Sequence, residues 1–183
     1  MKDMPHVIHI YFLGKVLPTV NYCSIILHAL PNLFRLDLSF ACLLRLFEDP
    51  SICSLLSQRI LSLCIAGNET NSTVRRLSEV DLPMIASVFS RVNGIYFDIN
   101  HLISSPSKMS SEDTVLPLSS ESFLLCALKT FQAHSLLGLC IDGHFNEDIQ
   151  TDTEQWLRKN SILAEQRSAA SFDRILNRLF IWM

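Results

Sequence analysis

The chain has 183 residues, 49% hydrophobic and 18% charged, with a formal net charge of −3. That balance supports a buried core and excludes intrinsic disorder, and five glycines and seven prolines exclude a collagen-like or low-complexity chain. Lys and Arg are scattered, with adjacent arginines only at Arg75-Arg76, so no basic stripe exists to replace phosphate counterions and no nucleic-acid partner is expected.

At the start of the chain, Lys2, Asp3, Pro5 and His6 interrupt any hydrophobic leader, and no secretory signal is read. The segment around Ile8 and Ile10 reads as a partial strand. His6 and His9 stand an odd number of residues apart in it, fall on opposite faces and cannot share a metal ion. Val20 to Leu30 is the richest apolar stretch, but it contains Asn21, Ser24 and His28 and is too short to cross a bilayer. His28 is expected to be a satisfied core histidine. No membrane partner follows, and the expected location is the cytoplasm or nucleus.

Four segments then share one alternating pattern: Leu33 to Leu38, Ile60 to Ile65, Gly94 to Ile99 and Leu136 to Ile141. Their apolar pairs are Leu36/Leu38, Leu63/Ile65, Phe97/Ile99 and Leu139/Ile141, so each reads as a short strand with one face inward. The outward positions include Arg35, Asp37, Ser62, Tyr96, Asp98, Asn100 and Asp142.

Helices are predicted between the strands. Phe40 to Phe47 is a short apolar one. The next has Asp49 as N-cap and Pro50 in its first position, with Ile52, Leu55, Leu56 and Arg59 at helical spacing. Asp81 is expected to cap a helix through Leu82, Ile85, Phe89 and Val92, with Pro83 in its first turn. Phe123, Leu124, Ala127, Leu128 and Phe131 form the clearest amphipathic stripe, after Ser120. Thr151-Asp152-Thr153-Glu154 reads as a capping box before Trp156 and Leu157. Residues 104–120, rich in Ser and Pro, read as a surface-loop insertion.

Strand and helix therefore alternate, which implies parallel pairing through crossovers. The register advances by about 27, then 34, then 42 residues, and the first step fits the leucine-rich-repeat period of about 20–29. The standard repeat, L-x-x-L-x-L-x-x-N, closes on Asn or Cys; the corresponding residues here are Ala41, Asn68, Leu102 and His144. The expected fold is α/β, a degenerate leucine-rich-repeat-like solenoid of short parallel strands with crossover helices. A small doubly wound α/β domain is the alternative.

Motifs for chemistry are missing. There is no G-x-x-x-x-G-K-[ST], G-x-G-x-x-G or G-x-S-x-G. Glu112-Asp113 and Glu147-Asp148 read as solvated charge, and Asp142-Gly143-His144 as a turn. The six cysteines, Cys23, Cys42, Cys53, Cys64, Cys126 and Cys140, lie in apolar runs without C-x-x-C and are expected to be free. Asn68 and Asn71 begin glycosylation-type triplets that read as polar loop without a secretory route. No catalytic residue, metal or cofactor is expected.

The strand segments Leu33–Leu38 and Ile60–Ile65, the Leu139-Cys140-Ile141 strand and the tail Thr153-Glu154-Gln155-Trp156-Leu157 resemble the C-terminal region of F-box-type leucine-rich-repeat proteins. The closing Phe180-Ile181-Trp182-Met183 resembles the aromatic ending of a large invertebrate group of them. In that family an F-box docks on the Skp adaptor of a cullin ubiquitin ligase, and the repeat region holds the substrate. The resemblance implies a single repeat-like domain over residues 1–183, truncated at its N-terminus, which binds a protein substrate. No F-box is found: Leu82-Pro83 with Val88-Phe89 echoes its opening but lies mid-repeat. Skp and cullin subunits are thus partners by resemblance alone. The expected binding surface is Arg35, Asp37, Ser62, Tyr96, Asp98, Asn100 and Asp142. The alternatives are a small α/β enzyme with its site at the strand C-terminal ends, near Asn68, Asn100 and Asp142–His144, and a degenerate fragment with no function of its own.

Overall fold

A computed structural model describes residues 6–12, 19–66, 77, 80–99, 119–132, 136–161 and 168–183. The fold is α/β, with a mostly parallel seven-stranded sheet. Five parallel strands pair in chain order: β1 (His9–Phe12), β2 (Arg35–Ser39), β3 (Ser62–Ala66), β4 (Gly94–Asp98) and β5 (Gly138–Asp142). An antiparallel hairpin of β6 (Ala169–Asp173) and β7 (Arg178–Trp182) completes the sheet, with β7 beside β5 and β6 at the edge.

Pairing aligns the inward side chains in two rows. One runs Ile10, Leu36, Leu63, Ile95, Leu139 and Ile181; the other runs Phe12, Leu38, Ile65, Phe97, Ile141 and Leu179. This corrects the sequence reading of β4, whose aligned pair is Ile95/Phe97 and not Phe97/Ile99. All three residues are apolar and buried, so hydropathy alone could not choose between registers two residues apart. In the observed register Val92 takes the leading aliphatic position held elsewhere by Leu33, Ile60 and Leu136, all buried. Val7, Ile10 and Phe12 make β1 a fifth copy of the same spacing, packed on the same core.

The backbone repeats as well. The carbonyl just before a strand accepts two successive N–H groups from the next one. Ile8 O accepts from Phe34 and Arg35, Phe34 O from Leu61 and Ser62, Leu61 O from Asn93 and Gly94, and Asn93 O from Leu137 and Gly138, at 2.7–3.3 Å. Hydrogen-bond geometry thus fixes the start of each strand at one height across the sheet.

The helices fill the crossovers: α1 (Val20–Ala29), α2 (Phe40–Leu46), α3 (Pro50–Arg59), α4 (Asp81–Val88) and α5 (Ser120–Phe131), with α6 (Glu147–Thr151) and α7 (Thr153–Asn160) between β5 and the hairpin. Each contributes to the one apolar cluster that holds the inward strand residues, from Leu27 of α1 to Leu157 of α7. Because strand order follows chain order, every crossover advances the same way, and connections of one hand put their helices on one face. Phe97 meets Phe123 edge-on, with ring centroids 5.1 Å apart, at the centre of this layer.

Helix ends are tied by side chains. Asp49 caps α3 and Pro50 opens it as read from sequence. Arg59, at the end of α3, donates to the Leu27 and Leu30 carbonyls at the C-terminus of α1, at 2.8 and 3.4 Å. Arg91, after α4, donates likewise to Gln58 O near the end of α3, at 2.7 Å. Each arginine thereby ties its own helix to carbonyls at the C-terminal end of an earlier one.

Two caps differ from expectation. Asp81 is the first residue of α4 and is buried, with Val80 as the N-cap; α4 ends at Val88, before Phe89 and Val92. Asp152, not Thr151, caps α7, because Thr151 still belongs to α6. Ser119 caps α5 and Ser120 is already helical, so these two residues of the expected 104–120 insertion belong to α5, while residues 104–118 are not among those described. His28 is exposed, with Nδ1 2.8 Å from Ser24 O, and is not a core histidine. Among the described residues no helix is long and apolar enough to cross a membrane.

Candidate functional site: the open strand face

Alternate strand residues point away from the helices and form the second face of the sheet. Register groups them in three rows. Near the strand starts run His9, Arg35, Ser62, Gly94, Gly138, Trp182 and Ala169. Through the middle run Tyr11, Asp37, Cys64, Tyr96, Cys140, Phe180 and Ser171. Toward the ends of the parallel strands lie Ser39 and Ala66, then Asp98, Asp142, Arg178 and Asp173.

All the described residues of the predicted surface lie on this one face: Arg35, Asp37, Ser62, Tyr96, Asp98 and Asp142. Asn100 lies outside the described residues, as does Asn68.

Two charged clusters order the face. In the first, Tyr96 Oη donates to Asp142 Oδ2 at 2.9 Å, and Arg178 Nη2 donates to the same oxygen at 3.0 Å. Arg178 Nη2 also reaches Tyr96 Oη at 3.2 Å, and its guanidinium carbon stands 5.1 Å from the Tyr96 ring centroid. Burial, then the hydrogen bond to the Asp142 carboxylate, pushes the Tyr96 hydroxyl pKa above its ordinary value, because both disfavour a phenolate.

In the second cluster, Arg35 Nε and Nη2 donate to the two oxygens of Asp37 at 3.0 and 3.3 Å. Asp37 is only 4% exposed, so this forked pairing answers a carboxylate that has lost most of its water. His9 Nε2 stands 3.0 Å from Asp37 Oδ1 without hydrogen-bond geometry.

The floor between the clusters is made of small side chains. Ser62, Gly94 and Gly138 are neighbours in one row, and Cys64 and Cys140 flank Tyr96 in the next. A Cβ built on Gly94 meets nothing within 4 Å. Opposite Arg35, the far wall is Phe180 and Trp182, stacked with centroids 5.9 Å apart. Burial raises the Cys64 and Cys140 thiols to about 12, with Asp37 adding to the rise at Cys64. All six cysteines are free, as expected, but only Cys23 and Cys42 are fully buried.

Arg178 was missing from the predicted surface because the hairpin that carries it has no familiar turn signal. Its turn contains the exposed Ile175 and Leu176, and the informative residues flank them. Asp173 Oδ1 accepts from Ile175 N and Leu176 N, while Asn177 takes a φ of 51°. Asp142-Gly143 is likewise more than a turn. Asp142 ends β5 inside the polar cluster, and Gly143 packs against Ile99.

No group of His, Cys, Asp and Glu among the described residues is arranged to hold a metal ion. No family model, curated protein or solved structure matches the chain.

Proposed function

We propose that this chain is a protein-binding module that holds its partner on the open strand face, in the manner of the substrate-holding region of F-box-type ubiquitin-ligase receptors. One observation carries the reading: the described helices share one apolar cluster with the inward strand residues, while the outward strand residues are charged and aromatic groups already ordered by one another. Groups held in place before binding lose little further freedom when a partner arrives. The Tyr96–Asp142–Arg178 and Arg35–Asp37 clusters supply that order, and the small residues between them leave room for a partner's side chains.

The repeat reading has support from the five-fold aliphatic spacing and from the recurring paired hydrogen bonds to one carbonyl. In the observed register of β4 the position that closes the repeat is Asn100, the counterpart of Asn68. These features favour a degenerate leucine-rich-repeat-like solenoid, an architecture that commonly binds through its strand face. The substrate is a protein, and the setting is the cytoplasm or nucleus.

The test is capture from cell extract by the immobilised chain, beside a Gly94→Arg variant that obstructs the face. Recovery of one protein by the wild type, lost with the variant, supports the module. Co-recovery of Skp and cullin subunits supports the ligase role. Equal recovery by both chains removes the open face as the binding surface.

A further inference from the structure

Two of the six cysteines face one another inside the helical layer. Cys23 lies in the first turn of α1 and Cys42 in the first turn of α2, and the two helices pack together. Both side chains are fully buried in the apolar cluster, and their thiols are hydrogen-bonded to each other. The pair on the open face differs. Strands stand about 4.8 Å apart, so Cys64 and Cys140, with Tyr96 between them, are separated by about 10 Å, beyond the roughly 7 Å reach of a disulfide.

The buried pair is uneven. The Cys42 thiol donates to the Cys23 sulfur, which lowers the Cys23 pKa against the opposing effect of burial. The same hydrogen bond, with burial, raises the Cys42 thiol. The positive end of the α1 dipole also favours a Cys23 thiolate. Burial raises the thiols of Cys53, Cys64 and Cys140. Cys23 is therefore the better nucleophile, and Cys42 is already in place beside it.

We propose that Cys23 and Cys42 are a reversible redox pair that closes to a disulfide on reaction with a hydroperoxide. The Cys23 thiolate attacks one peroxide oxygen and the O–O bond breaks. Sulfur becomes a sulfenic acid, and the leaving hydroxide takes up a proton to become water. The Cys42 sulfur then attacks the Cys23 sulfur. The S–S bond forms, the S–O bond breaks, and the sulfenic hydroxyl leaves with the Cys42 proton as a second water. The two thiols lose two electrons and the peroxide gains them. Both sulfurs are covered, so the oxidant enters when α1 opens locally, and the reaction is slower than on an exposed thiol. The bond ties α1 to α2 within the helical layer and is independent of the binding role proposed above.

The full chain, treated with hydrogen peroxide under native conditions, tests this. Remaining thiols are then alkylated in urea and unreduced peptides are read by mass spectrometry. The expected product is one linked pair, Cys23 to Cys42, two hydrogens lighter than the reduced pair and reopened by dithiothreitol. The oxidised chain should keep its circular dichroism and unfold at a higher temperature, because residues 23–42 become a closed loop. With Cys42→Ser, dimedone should trap a sulfenic acid at Cys23; with Cys23→Ser, it should leave Cys42 unlabelled. Absence of the Cys23–Cys42 link in the native wild type overturns the proposal, whether or not the serine variants fold. So does a link formed only in urea, or an oxidised chain that has lost its native circular dichroism. Dimedone on Cys42 but not on Cys23 overturns the assigned nucleophile.

Discussion

Tyr96 and Asp142, on neighbouring strands, are joined by a 2.9 Å hydrogen bond that Arg178 completes from a third strand. The three residues span positions 96 to 178, so the hairpin is tied to the parallel strands by side chains as well as by backbone. Tyr96→Phe removes the hydroxyl that donates to Asp142 and accepts from Arg178, and is expected to cost about 1 kcal/mol. Asp142→Ala leaves Arg178 without its carboxylate and should cost more, about 1–3 kcal/mol. A double-mutant cycle by urea unfolding measures the coupling; strictly additive losses would show that the bond is not formed in solution.

The raised hydroxyl pKa of Tyr96 has a sign that can be checked. The folded protein holds this proton more tightly than the unfolded chain, whose tyrosines titrate near about 10. The associated stability is present below that pH and is lost as the pH rises through the folded value. Urea midpoints measured from neutral to strongly alkaline pH should fall less steeply for Tyr96→Phe than for the wild type.

Thiol reactivity follows the same logic. Cys64 and Cys140 sit under the open face with thiols pushed up to about 12 by burial, so little thiolate exists at neutral pH. Iodoacetamide followed by peptide mass spectrometry should modify both far more slowly in the folded chain than in urea. Fast native labelling of Cys64 would mean that Asp37 and its neighbours do not shield it.

Much of the fold was legible because strand burial in this chain is one-sided. Leu36/Leu38, Leu63/Ile65 and Leu139/Ile141 alternate with polar or small residues, so strand, face and approximate period all follow. Legibility failed where apolar residues run on past the strand, as in Ile95, Phe97 and Ile99, and where a turn is built from Ile175 and Leu176. The site divides along the same line. Outward residues of the parallel strands could be named from alternation, but Arg178 depended on recognising the hairpin. The two glycines of the floor carry no hydropathy signal at all.

Glycine substitutions separate two roles that sequence does not distinguish. A Cβ at Gly143 would stand 2.6 Å from Cγ1 of Ile99, a fully buried side chain packed into the core. Gly143→Ala is expected to destabilise by about 1–3 kcal/mol through overpacking. Wild-type stability in that variant, measured by thermal unfolding, would show that Ile99 has room to move.

Gly94 is the opposite case and gives the sharper test of function. It lies mid-sheet between Ser62 and Gly138, with open space where a side chain would project. Glycine is an unfavourable strand residue, so replacement relieves an entropic cost and creates no clash. Gly94→Ala should match or slightly exceed the wild type in thermal unfolding. Gly94→Arg should also fold, because the side chain extends over the face and not into the core. It would stand between the Arg35 and Trp182 walls, where a partner's side chain must enter. A folded Gly94→Arg chain that loses its partner, while Gly94→Ala retains it, assigns recognition to this trough. Retention by both would move recognition elsewhere on the molecule, while an unfolded Gly94→Arg chain would show that the face is covered.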